Sequence, residues 1–176
     1  MSDLFYAITL AALAGAAIPF GAWLSGFDRI LPGWIRNETN HWVMAFGAGA
    51  LLSAVALVLI PEGVDRVAGA FALIPFLLGA IAALAADMAL SRHGGSKSQF
   101  MAMLMDFIPE TIALGAVLTA KPGLALLLAG LIGAQNLPEG FNADRELTET
   151  SALPRSKRLI LFLLLVPLGP IAALIA

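Results

Sequence analysis

The sequence contains no cysteine and only two histidines, and it is poor in charge. The absence of cysteine excludes disulfides, thiolate metal ligands and a cysteine nucleophile. Charged residues make up 12% of the 176 residues, about half the share found in a soluble domain, whereas 60% are hydrophobic. The net charge is −2 and the sequence has no basic run, so we expect no nucleic-acid partner. This composition predicts an integral membrane protein.

Long apolar stretches predict six membrane-spanning helices. A helix needs roughly 20 mainly apolar residues to cross a bilayer. The connections between the stretches are short apart from residues 25–41 and 142–158, which we expect to be loops. Residues 1–176 are therefore expected to form a single all-α transmembrane domain. The six predicted spans are Leu4 to Leu24, Trp42 to Ile60, Val67 to Leu90, Phe100 to Thr119, Leu124 to Phe141 and Leu159 to Ala176.

The distribution of lysine and arginine predicts the orientation of the bundle. The first, third and fifth connections contain eight of these residues, whereas the second and fourth contain only Arg66 and Lys121. The positive-inside rule places the eight in the cytoplasm and the N-terminus outside. We expect the protein in a bacterial inner (plasma) membrane.

Acidic and amide side chains occur together in two neighbouring spans. The fourth span contains Asp106 and Glu110, and the fifth contains Gln135, Asn136 and Glu139. A spacing of four residues puts the two acids of the fourth span on one helix face, and likewise Gln135 with Glu139. At about 1.5 Å per residue, all five lie roughly 16–25 Å from the turn between the spans, near mid-membrane. Ionisable groups inside a span are costly, so we interpret them as functional.

A proline precedes the glutamate in both spans, at Pro109 and Pro138. A proline inside a helix cannot donate to the carbonyl four residues earlier, which frees the carbonyls of Met105 and Ala134 as cation ligands. No lysine or arginine lies centrally in a predicted span, so the counter-charge must be protons or a metal cation. Two alternatives remain: the acids are protonated and join helices by hydrogen bonds, or Asp106 pairs with a base on another helix.

A third proline–glutamate pair, Pro61 with Glu62, lies where the second span reaches its outer end, and Asp65 follows. These acids either form the outer mouth of a cation path or are solvated acids at a helix end. Recurring small residues, such as Gly47 with Gly49 and Gly130 with Gly133, predict close helix packing.

The three proline–glutamate units resemble motifs of the ZIP family of divalent-metal transporters. Residues 59–63, 106–111 and 135–140 resemble the motifs of family helices two, four and five, in the same order and over essentially the whole chain. The resemblance implies a transporter whose metal ligands are Asp106, Glu110, Gln135, Asn136 and Glu139, with Glu110 at the position of the family's metal-bridging glutamate.

Several positions depart from the family pattern. Phe107 and Thr111 stand where the family has asparagine and glycine, and Val166 stands where it has glutamate, which removes ligands of a second metal. The family has eight helices, so either further helices follow Ala176 or the chain is a divergent relative. Oxygen and amide ligands favour harder ions such as Mn²⁺ or Mg²⁺ over Zn²⁺, although zinc also accepts carboxylates.

We therefore expect a transporter that moves a divalent cation (Zn²⁺, Mn²⁺, Fe²⁺ or Cd²⁺) toward the cytoplasm. The ion would enter near Glu62 and Asp65 and leave between the inner ends of the third to fifth spans. The alternatives are a non-transporting metal-binding membrane protein and a proton-coupled carrier of a small organic cation. We expect no enzyme activity, because the sequence has no HExxH motif, phosphate loop or central serine–histidine–acid set. The expected partners are the lipid bilayer, the transported metal and a second copy in a homodimer, with no organic cofactor.

Overall fold

The computed structural model describes residues 3–28, 32–67, 69–92 and 98–176. Regular structure in these residues is helical throughout, and they contain no strand. A π-helix, Val55–Leu59, lies between the second and third α-helices, and a 3-10 turn, Gly69–Ala72, lies before the fourth. The α-helices are α1 (Asp3–Asp28), α2 (Gly33–Ala54), α3 (Ile60–Arg66), α4 (Leu73–Arg92), α5 (Ser98–Leu118), α6 (Pro122–Thr150), α7 (Arg155–Leu163) and α8 (Leu168–Ala173).

Six helical stretches of the described chain are long and apolar enough to cross a membrane, which confirms the predicted number. Residues 121 and 150 lie at the two ends of α6, and we refer to the ends of the bundle as the Lys121 end and the Thr150 end. The six stretches are Phe5–Phe27, Gly33–Arg66, Ala70–Ala89, Gln99–Leu118, Pro122–Thr150 and Arg155–Ala173.

Two predicted loops are largely helical, which corrects the predicted span limits. Helix α2 begins at Gly33 rather than near residue 42, and α6 continues to Thr150 rather than ending near residue 141. The extension of α6 stays helical because it still packs against the bundle, with Ala143 and Leu147 buried. Apolar length alone could not detect this packing. Residues 29–31 of the first predicted loop lie outside the described residues.

Helix α6 is the centre of the bundle and packs against α1, α2 and α5. Glycine makes the crossing of α6 with α1 unusually close. A Cβ atom on Gly21 would lie 2.0 Å from the carbonyl oxygen of Leu137, and one on Gly140 would lie 2.2 Å from that of Ile18. Since no side chain fits at such distances, only glycine allows the two backbones to approach this closely.

A stripe of small residues packs α2 against α6. Gly47, Ala54 and Val58 are buried along it, and a Cβ atom on Gly47 would lie 2.7 Å from Cγ of Pro138. The stripe ends at Glu62, which is only 7% exposed. Burial of this glutamate follows from its position on the packed face of α3.

The π-helix Val55–Leu59 interrupts the second span just before Pro61. The backbone N–H of Ile60 donates to the carbonyl of Val55, five residues back. Proline cannot donate a backbone hydrogen bond, and its ring crowds the preceding turn. A wider turn at this point accommodates the proline while the helix continues to Arg66.

Helix α4 lies at the edge of the bundle. Every side chain described between residues 70 and 89 is exposed or half-buried in the single chain. Residues 73–86 of this helix are apolar on all sides, which suits a lipid environment. Consequently α4 supplies no buried residue to the polar region described next.

Candidate cation site

A hydrogen-bonded turn joins α5 to α6 and aligns their polar residues. The backbone N–H of Lys121 donates to the carbonyl of Val117 at 2.8 Å, and Pro122 takes the first position of α6, where a missing N–H costs nothing. In the resulting hairpin the side chain of Gln135 reaches Glu110, with Nε2 donating to Oε2 at 2.5 Å. Both residues are buried, with exposures of 0% and 5%. The structure thus brings these two predicted ligands into direct contact.

The side-chain amides of Gln135 and Asn136 each use only their nitrogen atom. Nε2 of Gln135 donates to Glu110 on α5. Nδ2 of Asn136 donates to the backbone carbonyl of Ala14 on α1 at 2.9 Å. Because carbonyl and carboxylate oxygens accept hydrogen bonds, these contacts fix which side of each amide carries its nitrogen. Oε1 of Gln135 and Oδ1 of Asn136 are buried and have no hydrogen-bond partner in the described part of the chain.

Two more carboxylates lie beside the Glu110–Gln135 contact. Glu139 follows Gln135 by one helical turn, and its buried Oε2 has no hydrogen-bond partner among the described residues. Asp106 precedes Glu110 by one turn on α5 and is exposed in the single chain. Asp106 and Glu110 are both near enough to Glu139 to interact with it electrostatically. Within the described ranges, none of the three acids forms an ion pair with a base.

The five predicted ligands do not converge on one point. Consecutive helical residues differ by about 100° around the axis, so Gln135 contacts α5 while Asn136 contacts α1. In the residues that the structure describes, no three histidine or acidic side chains are close enough together to hold one metal ion. Asp106, Glu110 and Glu139 therefore form a loose group of carboxylates rather than a closed cage.

The two prolines of the motifs lie inside continuous helices, Pro109 in α5 and Pro138 in α6. The carbonyl oxygens of Met105 and Ala134 consequently receive no backbone hydrogen bond from the residue four positions later. These backbone oxygens add to the acceptors close to Glu110 and Glu139 in sequence.

Phe107 and Thr111, which depart from the family pattern, have structural contacts of their own. Phe107 is fully buried, and its ring packs against two glycines. A Cβ atom on Gly15 of α1 would lie 2.9 Å from Cζ of Phe107, and one on Gly169 of α8 would lie 2.8 Å from it. The hydroxyl of Thr111 donates to the Phe107 carbonyl at 2.8 Å. Phe107 therefore joins α5 to α1 and α8, in a different direction from the Gln135 contact.

A cluster of charges lies at the Lys121 end. The ammonium group of Lys121 donates to Oε1 of Glu62 and lies 3.6 Å from Oδ2 of Asp65. The hydrogen bond to Glu62 raises the pKa of Lys121. Nη2 of Arg66 donates to the carbonyl of Ala116 at 2.8 Å. Glu62 is thus a buried, ion-paired residue rather than a solvated acid, and α3 is tied to the α5–α6 turn.

Sequence reasoning missed a buried ion pair near the Thr150 end. Nε of Arg158 donates to Oδ1 of Asp144 at 2.7 Å, and Ser25 Oγ lies 2.5 Å from the other carboxylate oxygen. The charge count places Arg158 in a cytoplasmic loop, whereas its exposure in the structure is only 5%. Helical periodicity could have indicated that Asp144 is buried, because it follows Asn136 and Gly140 at intervals of four residues along the face of α6 that packs on α1.

Comparison with models of protein families, with curated proteins and with solved structures finds no match. The fold and composition define an all-helical membrane protein with six candidate spans in its described residues. Two of its buried acidic and amide residues, Glu110 and Gln135, meet between α5 and α6.

Proposed function

We propose that this chain is a ZIP-like transporter that moves a divalent metal cation across a membrane toward the cytoplasm. One observation carries the proposal: the buried contact between Glu110 and Gln135, with Glu139 and Asp106 beside it. Among the described residues no base forms an ion pair with these acids. Negative charge buried in a membrane without a positive partner is costly, and a divalent cation supplies the missing charge.

The ligands would be oxygen atoms from both helices of the hairpin. Glu110 and Glu139 would supply carboxylate oxygens, and Gln135 would supply the amide oxygen that lacks a hydrogen-bond partner among the described residues. Asn136 has a similarly unpartnered amide oxygen, but its side chain contacts α1, so it would join these ligands only after a movement of α6 against α1. Asp106 adds a third carboxylate at the exposed side of the group. A donor set of carboxylates and amide oxygens suits Mn²⁺, and Zn²⁺ also accepts carboxylates.

The proposed direction of transport follows from the charge distribution. Arg145, Arg155 and Lys157 are at the Thr150 end, which the positive-inside rule assigns to the cytoplasm. The Lys121 end then faces outward, and a cation would approach past Glu62 and Asp65. A site near mid-membrane opens to each side in turn when one group of helices moves against another.

Uptake of radiolabelled Mn²⁺ or Zn²⁺ into proteoliposomes tests the proposal. We expect uptake by the wild type and its loss in Glu110→Ala and in Glu139→Ala, while Glu38→Gln, which changes an exposed acid of α2, serves as the matched control. Unchanged uptake in both alanine variants would contradict the proposal. Metal binding without uptake would identify a non-transporting metal-binding protein instead. Metal-independent proton flux would favour a proton-coupled carrier of an organic cation.

A further inference from the structure

A groove of about 660 Å³ lies on the side of the bundle between α1 and α7, far from the carboxylates of the hairpin. Ala16, Pro19, Phe20 and Trp23 form its α1 wall, and their spacing puts them on one face of that helix. The wall is about 10 Å long at the helical rise per residue. No charged residue lines the groove, and both walls belong to candidate membrane spans. Its occupant must therefore be apolar where it lies between the two helices.

The α7 wall of the groove leads to a basic side chain. Leu159 and Leu163 line the groove, and Arg155 precedes them by one and two turns on the same face of α7. Nη2 of Arg155 donates to the backbone carbonyl of Trp23 at 3.0 Å, which places the guanidinium beside the α1 wall at the Thr150 end. The groove thus has an apolar length and one positively charged end.

A glycine of α1 allows the Arg155 guanidinium to lie directly against the helix. A Cβ atom on Gly26, about one turn beyond Trp23, would overlap the guanidinium. The Arg155 side chain is exposed, and no acid among the described residues forms an ion pair with it. Its bond to Trp23 uses one of the five guanidinium N–H groups. The positive charge is therefore open to an anion outside the bundle.

Aromatic residues surround the charged end of the groove. The rings of Phe20 and Trp23 are stacked with their centroids 5.8 Å apart, and Phe27 packs edge-on against Trp23 at 4.8 Å. All three side chains are about half exposed in the single chain. Tryptophan is enriched where acyl chains meet lipid headgroups. Trp23 thus indicates that the Arg155 guanidinium lies at the depth of the headgroups.

We propose that this groove binds an anionic phospholipid, with one acyl chain between α1 and α7 and the headgroup phosphate at Arg155. Basic pockets between membrane helices favour anionic headgroups. A zwitterionic lipid fits less well, because its own ammonium group already balances the phosphate. A second copy of the chain also fits less well, because an isologous contact would bring two identical basic ends together at one depth. Such a lipid site is independent of the proposed metal transport.

Quenching of Trp23 fluorescence by brominated lipids in vesicles tests the proposal. The parent variant Trp34→Phe/Trp42→Phe leaves Trp23 as the one tryptophan of the sequence, and both replaced side chains are exposed. It is reconstituted with a small fraction of brominated phosphatidylglycerol or of brominated phosphatidylcholine, and the two binding constants are compared. Arg155→Gln is the test variant. Lys157→Gln is the matched control, because it changes an exposed lysine on another face of α7.

We expect phosphatidylglycerol to bind roughly fivefold more tightly than phosphatidylcholine, the difference that one basic residue near an anionic headgroup provides. The preference should disappear in Arg155→Gln and remain in Lys157→Gln. Ala16→Phe should also reduce it, because the added ring occupies the space of the acyl chain. Ala82→Phe, at an exposed position of α4, should leave it unchanged.

Three results would overturn the proposal. Equal binding of the two lipids by the parent variant would show that the groove does not select an anionic headgroup. An equal loss of the preference in Arg155→Gln and Lys157→Gln, or its persistence in Ala16→Phe, would show that the basic end attracts anionic lipid without use of the groove. Quenching of Trp23 by neither lipid would show that a second copy or another segment covers it.

Discussion

The guanidinium of Arg158 and the carboxylate of Asp144 are joined by a hydrogen bond of 2.7 Å, with both side chains buried at the Thr150 end. Nη1 of Arg158 also donates to the carbonyl of Leu153, and Ser25 of α1 contacts the carboxylate. These bonds connect α1, α6 and α7. Because each partner is buried, the loss of one leaves the other as an uncompensated charge.

Replacement of Arg158 by methionine is expected to destabilise the protein by about 3–5 kcal/mol, the usual result of breaking a buried pair from one side. The double variant Asp144→Leu/Arg158→Met should recover much of this loss, because it removes both charges. Chemical denaturation in detergent gives the comparison. If the single and double variants are equally unstable, the charge explanation is wrong.

The close crossing of α1 and α6 gives a second prediction. Gly140→Ala is expected to destabilise the protein by about 1–3 kcal/mol, because the added methyl group would collide with the Ile18 carbonyl. Gly130→Ala on the same helix is the control, since a Cβ atom there meets nothing within 4 Å. Thermal unfolding of both variants tests the difference. Equal effects of the two substitutions would contradict the crossing described above.

The ion pair at the Lys121 end predicts a specific pH dependence. Its hydrogen bond to Glu62 raises the pKa of Lys121 above the ordinary value of 10.5. A base with a raised pKa in the folded state contributes fully below its unfolded pKa, and this contribution is lost as the pH rises through the folded value. We therefore expect Lys121→Gln to be less stable than the wild type by a constant amount from about pH 6 to 9. The difference should disappear once the pH passes the raised pKa of Lys121.

Thermal unfolding in detergent across this pH range measures the effect. Lys157→Gln, which changes an exposed lysine at the opposite end, is the control and should show no such dependence. A stability difference that already shrinks between about pH 6 and 8 would show that another group controls it.

The sequence alone predicts those features that depend on composition and local spacing. Apolar length predicts six spans, and the helical rise counted from the turn between two of them places Glu110 and Gln135 at similar depth in adjacent helices, where the structure joins them. The polar ends of α2 and α6 were missed because helices continue there through tertiary packing rather than apolar length. Burial of Arg158 was missed because it depends on a partner 14 positions earlier in the chain and on a serine of α1.

The glycines also show that sequence spacing alone does not identify the residues that contact a neighbouring helix. Close packing was predicted for Gly47 with Gly49 and for Gly130 with Gly133. It is confirmed at Gly47, which packs against Pro138, whereas a Cβ atom on Gly49 or Gly130 would meet nothing within 4 Å and one on Gly133 would make only ordinary contact. The residues that bring α1 against α6 are Gly21 and Gly140. Which glycine faces a neighbouring backbone depends on the rotation of each helix within the bundle, and a single sequence does not specify that rotation.

The central claim is that the carboxylates between α5 and α6 bind a divalent cation. Its most direct test is the thermal stability of the purified protein in detergent with Mn²⁺, Zn²⁺, Fe²⁺, Cd²⁺ or Mg²⁺, compared among the wild type, Glu110→Ala and the control Glu38→Gln. An ion that binds only the folded protein stabilises it by about 2.7 kcal/mol at a hundredfold excess over its Kd. We predict that at least one ion raises the melting temperature of the wild type and of Glu38→Gln but not of Glu110→Ala. No stabilisation by any ion, or equal stabilisation of all three proteins, would contradict the claim.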